Sequence, residues 1–327
     1  MFNHLTWSSA RKRLVALLLI VLVLSIFYMT YAVYGNWEFA ASLRGKKLLA
    51  IYLVGVALSV STISFQTLVE NQLITPQILG IDEAYLLIHT LFLTFSYRYF
   101  GQSLTLSLPL FISTLVVMVS LSLLLFRVFI TKHRQDIFLM LMTGMTLSLV
   151  FRSMSQFLQV MLDPNEYQRL VVRIYPSFAN IQASALPISI FVILSALVVL
   201  WVYSVRLDVM RLGRHLAISL GVDVGHVQWV TFAAVSVLVS VSTALVGPLT
   251  FLGFIVANVA YQTSPLLTHK YLFCYASGIS LIILLLGQIG IEHVVGWSTP
   301  IAVIIELVGG AYFIYQLLKE RRGSGWA

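Results

Sequence analysis

Two ionisable side chains, Arg152 and Glu306, fall inside long apolar stretches of the sequence. A charge in hydrocarbon is costly and usually faces a partner charge, a proton path or a watery cavity. The two could serve proton-coupled transport, or they could be a structural ion pair or end residues reaching for the interface. Other chemistry-bearing patterns are missing. A loop of the form G-x-x-x-x-G-K-[ST], which cradles nucleotide phosphates, is absent: Gly45-Lys46-Lys47 has Ala40 in place of the earlier glycine and no following Ser or Thr. The seven histidines (His4, His89, His133, His215, His226, His269 and His293) are scattered, and there is no His-Glu-x-x-His helix. Cys274 stands alone in the apolar run 271–290, which excludes a disulfide framework or a cysteine metal motif and predicts a small core side chain. No catalytic constellation lies at a membrane edge, so an integral membrane enzyme is disfavoured. Two classes remain: a secondary transporter working through Arg152 and Glu306, or a permease driven by a motor on another chain.

The elements that must position these residues are membrane helices. Of the 327 residues, 59% are hydrophobic and 10% charged, whereas about a quarter of a soluble domain is charged. A spanning helix needs about 20 mostly apolar residues, fewer where neighbours shield it. Nine stretches qualify: 14–34, 48–69, 84–97, 104–126, 137–161, 184–205, 230–247, 271–290 and 300–318. The first follows Arg11-Lys12-Arg13 as a signal peptide would, but it is too long for that and lacks a small-x-small exit. Both ends are basic, with Lys319, Arg321 and Arg322 at the other, which predicts two cytoplasmic termini and an even number of spans. The piece 249–261, set off by Gly247-Pro248, supplies the tenth. Loops 127–136, 206–229 and 262–270 then lie inside with the termini, giving 13 cytoplasmic Lys and Arg against 6 outside, with Arg152 in a span. The formal charge of +8 thus follows from membrane orientation and needs no nucleic-acid partner. The expected fold is all-α, a single polytopic membrane domain over 1–327 with about ten transmembrane helices.

A permease without its own motor should meet one in its long cytoplasmic stretch, 206–229. Residues 211–222 read as a short amphipathic helix closed by a glycine, with Leu212, Leu216, Ile218 and Leu220 offering apolar contacts. Such a helix fits a partner's groove and equally fits an interfacial helix lying on the membrane. Here the sequence resembles the iron-siderophore, haem and cobalamin permeases of binding-protein-dependent ABC importers, the FecCD family. Leu212-Gly213, Ala217 and Leu220-Gly221-Val222 are similar to that family's L-G-E-x-x-A-x-x-L-G-V segment, with Arg214 in place of the usual acidic residue. Three further segments agree. They are Leu43-Arg44-Gly45-Lys46-Lys47-Leu48-Leu49-Ala50 with Gly55 and Gln66; Gly247-Pro248-Leu249-Thr250-Phe251-Leu252-Gly253; and Thr299-Pro300-Ile301 through Gly309-Gly310-Ala311-Tyr312-Phe313. Thr75-Pro76-Gln77-Ile78-Leu79-Gly80-Ile81-Asp82 looks like one branch, the second of two non-identical permeases serving catechol-type siderophores.

The resemblance implies a permease of ten helices that hydrolyses nothing itself. Its partners would be a cytoplasmic ABC ATPase dimer, a second homologous permease in a heterodimer, and an extracytoplasmic siderophore-binding protein. It also implies no cofactor on this chain, with ATP and magnesium on the partner ATPase. Arg211, Leu212, Gly213, Arg214, Ala217, Leu220 and Gly221 are then the ATPase-coupling residues. Arg44, Lys46 and Lys47 match the family's outer basic patch for binding-protein docking, although snorkelling beside headgroups would place them similarly. The family's other docking arginine aligns near Ile291, beside Glu292 and His293. Ser61, Ser64, Phe65 and Gln66 are candidates for the translocation path, and helix–helix contacts would use the same residue types.

Overall fold

A computed structural model describes residues 2–31, 37–100, 108–132, 137–179, 181–292 and 301–323. His133, His293 and Thr299-Pro300, all named above, lie outside this set. Among the described residues every element is helical: α1 (Phe2–Thr30), α2 (Trp37–Leu68), α3 (Ile81–Phe100), α4 (Leu108–Lys132), α5 (Ile137–Val160), α6 (Pro164–Ile174), α7 (Leu186–Met210), α8 (Arg214–Ser219), α9 (Val224–Val246), α10 (Leu252–Thr263), α11 (His269–Gly290) and α12 (Ile301–Gly323). In hydrocarbon each backbone N–H and C=O must be satisfied within its own segment, and helices do this. Each of the ten apolar stretches has its helix. Most run past their apolar limits, because a helix continues into the polar layer once nucleated.

The centre of the bundle is α2, packed against α7, α9, α10 and α11. Its inner residues Ala50, Ile51, Val54, Ala57 and Ile63 are fully buried. Small hydroxyl side chains let the backbones approach and bond across the contacts. Ser122 and Ser236 join α4 to α9 at 2.8 Å, and Ser59 and Ser277 join α2 to α11 at 3.2 Å. Phe126 stacks on Phe232 at 3.8 Å, closing α4 onto α9.

Beyond the ten and the short α8, two elements shape the bundle. Helix α6 begins at Asp163-Pro164, with proline at a first-turn position where its missing N–H costs nothing. It buries Leu170 and joins its own Arg169 to Glu166 at 3.2 Å. Between α2 and α3 the chain does not simply turn. A 3₁₀ turn, Pro76–Leu79, packs against the middle of α5, where a side-chain atom on Gly144 would meet Leu79 at 3.1 Å. Helix α3 therefore starts partway along the bundle, which explains the short third apolar run. Cys274 departs from its expected place: it is exposed on α11 rather than in the core. In a membrane protein an apolar stretch does not dictate which face turns inward, since lipid is as apolar as the core.

Candidate functional site

Six helices are long and apolar enough to cross a membrane among the described residues: α1, α2, α4, α7, α9 and α11. The other four elements, α3, α5, α10 and α12, carry polar or charged side chains within their apolar stretches, among them Asp82 and Glu83, Arg152, Asn258 and Glu306. These four wall a cavity of about 540 Å³. Asp82 and Glu83 reach it from the start of α3, Met145, Ser148, Leu149 and Arg152 from α5, Phe254 from α10 and Phe313 from α12. Gln77 and Ile78 close it from the 3₁₀ turn. Polar side chains at membrane depth are expected where a watery cavity receives them, so the features that weaken these helices as lipid-facing spans suit them to a cavity wall.

Asp82 is buried, and its Oδ1 accepts a hydrogen bond from the Thr243 hydroxyl of α9 at 3.2 Å. Arg152 acts electrostatically on Glu83, and Glu306 acts on Asp82. Arg152 and Glu306 thus belong to one region, but among the described residues no ion pair joins them. Met145, Leu149, Arg152, Gln156 and Gln159 recur every three or four residues and so share one face of α5. The last two line a second, more open cavity with Tyr167 of α6. Gln159 also donates to Thr90 of α3 at 3.4 Å. One face of α5 therefore runs as a polar lane from the α6 end of the bundle down to the acidic cavity.

Ser61, Ser64, Phe65 and Gln66 lie elsewhere. All four are buried within α2. Ser61 and Ser64 donate to the carbonyls of Leu58 and Val60, Gln66 donates to that of Gln72, and Phe65 packs on Phe232. They line neither cavity. Sequence reasoning passed over Asp82, Glu83 and the glutamines of α5. The available signal was the 3–4 spacing of Arg152, Gln156 and Gln159.

At one end of the bundle sit the basic residues of α2. Arg44 donates to the carbonyls of Tyr28 and Tyr31 at 2.9 and 2.6 Å, where a cation suits the negative C-terminal end of α1. Lys47 pairs with Glu292 at 2.6 Å, while Lys46 is exposed. Glu292 also accepts from Gln288 at 2.8 Å and from the Tyr28 hydroxyl at 3.2 Å, so one carboxylate ties α1, α2 and α11 together. Burial alone would push this carboxyl up, but hydrogen bonds from Lys47 and Gln288, with the charge of Lys47, outweigh it and hold Glu292 below the usual range. A carboxyl lowered in the folded state contributes stability that is complete above its ordinary value and is lost as pH falls through the folded one. The thermal midpoint of the wild-type chain should therefore fall more steeply below about pH 4.3 than that of Glu292→Gln. Parallel pH curves for the two proteins would show that the cluster does not hold this end.

At the opposite end, α8 stands between α7 and α9. Gly213 has φ +100°, open only to glycine at little cost, and stands immediately before the first residue of α8. Ala217 is fully buried against the bundle. Leu212, Leu216, Ile218 and Leu220 are between 53% and 63% exposed, a cluster of large apolar side chains with no cover in this chain. The polar chain next to α8 is fixed to the bundle. Arg211 donates to the Leu267 carbonyl at 2.7 Å and lies over the Tyr261 ring. The buried His269 ring bridges Asp208 of α7, at 2.6 Å, and Thr67 of α2, at 2.8 Å. Asp208 and His269 thus tie the end of α7, next to α8, to the central helix.

The comparisons agree with this architecture. A solved chain from a metal-chelate type ABC transporter in an inward-facing conformation superposes with a TM-score of 0.81 at 21% identity, over 95% of this chain and 99% of that one. The petrobactin import system permease protein YclO of Bacillus subtilis (strain 168) is 38% identical over 94% of this chain and 96% of its own length. The permease protein FatC of the petrobactin import system of Bacillus anthracis is 33% identical over 84% of this chain and 77% of its own. With residues 11–319 matched by the family model, nearly the whole helical bundle is accounted for, and the chain belongs to the FecCD transport family.

Proposed function

We propose that this chain is the permease subunit of an ABC importer that carries a ferric siderophore of catechol type across the cytoplasmic membrane. The reading is carried by the uncovered apolar side chains on α8 and immediately flanking it. Four large side chains at the end of a membrane bundle, anchored through Arg211 and His269, form a knob suited to a groove on a motor subunit. Both termini and α8 are on the cytoplasmic side, where an ATPase dimer supplies ATP and magnesium chemistry. A binding protein docks at the end that carries Lys46 and α6, with carboxylates facing the exposed lysine. The polar lane of α5 and its cavity take the cargo between these ends, and the exposed side of the lane is completed by a second, non-identical permease.

Support for the cargo class comes from YclO and FatC, both named for petrobactin import, and from the run Thr75 to Asp82, which forms one wall of the cavity. Alternating access is then a shift in population between two packings, driven by ATP binding below and felt through α8. Solubilised from its native membrane with a tag on this chain, the protein should bring down an ATPase and a second permease, and the reconstituted assembly should import ferric petrobactin only with ATP. A chain that purifies alone and transports without ATP would overturn the reading.

A further inference from the structure

A line of polar contacts crosses the bundle from the last turn of α7 to the last turn of α2. Asp208 stands just before the segment that carries α8. Its Oδ1 accepts twice from α11, from the His269 backbone N–H at 2.7 Å and from ring Nδ1 at 2.6 Å. Thr268, the N-cap of α11, makes no side-chain bond to its own helix, so Asp208 caps α11 from a neighbouring helix, where a carboxylate suits the positive helix end. An ionised carboxylate only accepts, so Nδ1 carries a proton. The other ring nitrogen, Nε2, meets the Thr67 hydroxyl of α2, which lies between Nε2 and the Ile63 carbonyl of its own helix, at 2.8 and 3.1 Å. His269 and Thr67 are both buried. Thr67 is the last residue but one of α2. Beside it, the Gln66 amide donates to the Gln72 carbonyl, and the chain that follows supplies Leu73, Thr75 and Ile78 to the wall of the cavity.

The bonds to Asp208 are enough to cap α11. The contact with Thr67 adds nothing to that cap; it fixes the same ring to a third helix, next to the point where α2 gives way to the cavity wall. Apolar side chains can slide past one another, whereas a hydrogen bond weakens steeply once its angle is lost, so this line resists relative movement that the surrounding packing would permit. We propose that Asp208, His269 and Thr67 form a strut that couples movement at α8 to the wall of the cargo cavity, with the His269 ring as rigid spacer and Thr67 as the positioning residue on α2. The inference rests on the importer reading above and adds to it the route by which this chain carries the ATPase stroke to the cargo. A shift at the end of α7 draws the buried ring with the Asp208 carboxylate, and the ring draws the end of α2 and the segment after it. None of the three lines the cavity, so they act on the cargo only through its wall.

The test uses the complete importer in proteoliposomes with its binding protein, and reads ferric petrobactin imported against ATP hydrolysed, a ratio that does not depend on how much importer assembles. Thr67→Val and Thr67→Ala both lack the hydroxyl and differ in shape, while Thr67→Ser keeps it; the substituted residue belongs neither to α8 nor to the cap of α11. Losing a buried bond and leaving its partner unmet should lower import per ATP by about tenfold in both hydroxyl-free variants, with ATP still hydrolysed. Thr67→Ser should recover the wild-type ratio to within about twofold. An unchanged ratio in Thr67→Val and Thr67→Ala, or no assembled importer in either, would show a bond that only holds the fold and would overturn the proposal. So would a loss in Thr67→Ser equal to that in Thr67→Ala, since shape and not the hydroxyl would then be responsible. If the wild-type assembly imports no ferric petrobactin with ATP, the importer reading fails, and this inference falls with it.

Discussion

Replacing Leu216 and Leu220 together by aspartate is expected to abolish association with the ATPase while leaving the permease folded. Both side chains are more than half exposed in the chain, at 56% and 63%. Substitutions at such positions change stability by only about 0.5 kcal/mol. In a complex they would be desolvated, and two charges placed in an apolar groove each forfeit a contact of the kind that dominates interfaces. A combined loss of about 3 kcal/mol or more corresponds to over a hundredfold in affinity. The measurement is the amount of ATPase retained on the tagged permease, read beside the thermal midpoint of the permease alone. Retention at the wild-type level would mean that α8 lies on the membrane and couples to nothing. Arg214, exposed on the same short helix, stands where the family pattern has an acidic residue, so the cognate ATPase should present an acidic partner there.

The second large effect is expected at Gly247, between α9 and the turn into α10. Its φ is +96°, and a Cβ there would lie 2.8 Å from the Pro176 backbone of the segment following α6. Backbone cannot rotate away as a flexible side chain can. The same Pro176 segment is held by Ser177, whose N–H donates to the Val246 carbonyl at 2.9 Å. Gly247→Ala therefore combines left-handed strain with a forced separation of two anchored segments, for a loss of about 2–4 kcal/mol. A clear drop in the thermal midpoint of the solubilised chain, with less protein reaching the membrane, is the expected result. A midpoint equal to wild type would show that α9 and Pro176 can part without cost. At Gly213 the φ is also positive, but no atom lies within 4 Å of the added Cβ. The cost there should fall on the placement of α8 rather than on the bundle.

The contrast between these glycines marks a wider division between what is local and what is not. Apolar length, terminal basic clusters and the Gly247-Pro248 break are properties of neighbouring residues, so ten helices and their approximate limits were legible in the chain. Part of the segment 211–222 was legible for the same reason: a helix forms there, but only from Arg214 to Ser219, with the exposed Leu212 and Leu220 flanking it. The pairing of Lys47 with Glu292 was not legible, although both residues were in view. They are 245 positions apart, and only the packing of α2 on α11 brings them to 2.6 Å. Glu292 lies where the family pattern would place a basic docking residue nearby, and it spends Lys47 on a bond within the chain. Lys46 is thereby left as the exposed member of the basic trio.

The candidate path shows the same limit more sharply. Ser61, Ser64, Phe65 and Gln66 have the residue types of a path, but hydroxyls on a membrane helix satisfy themselves equally well on their own backbone, as Ser61 and Ser64 do. Hydropathy cannot separate the two uses, because lipid and packed protein are both apolar. The sequence by itself determined a polytopic helical membrane protein and its family, because these follow from local apolar length, charge bias and short motifs. Only the tertiary structure decided which polar residues face a cavity. It did so by bringing Gln77, Asp82, Arg152 and Phe313, from four separate elements, around one space that no stretch of the chain encloses alone.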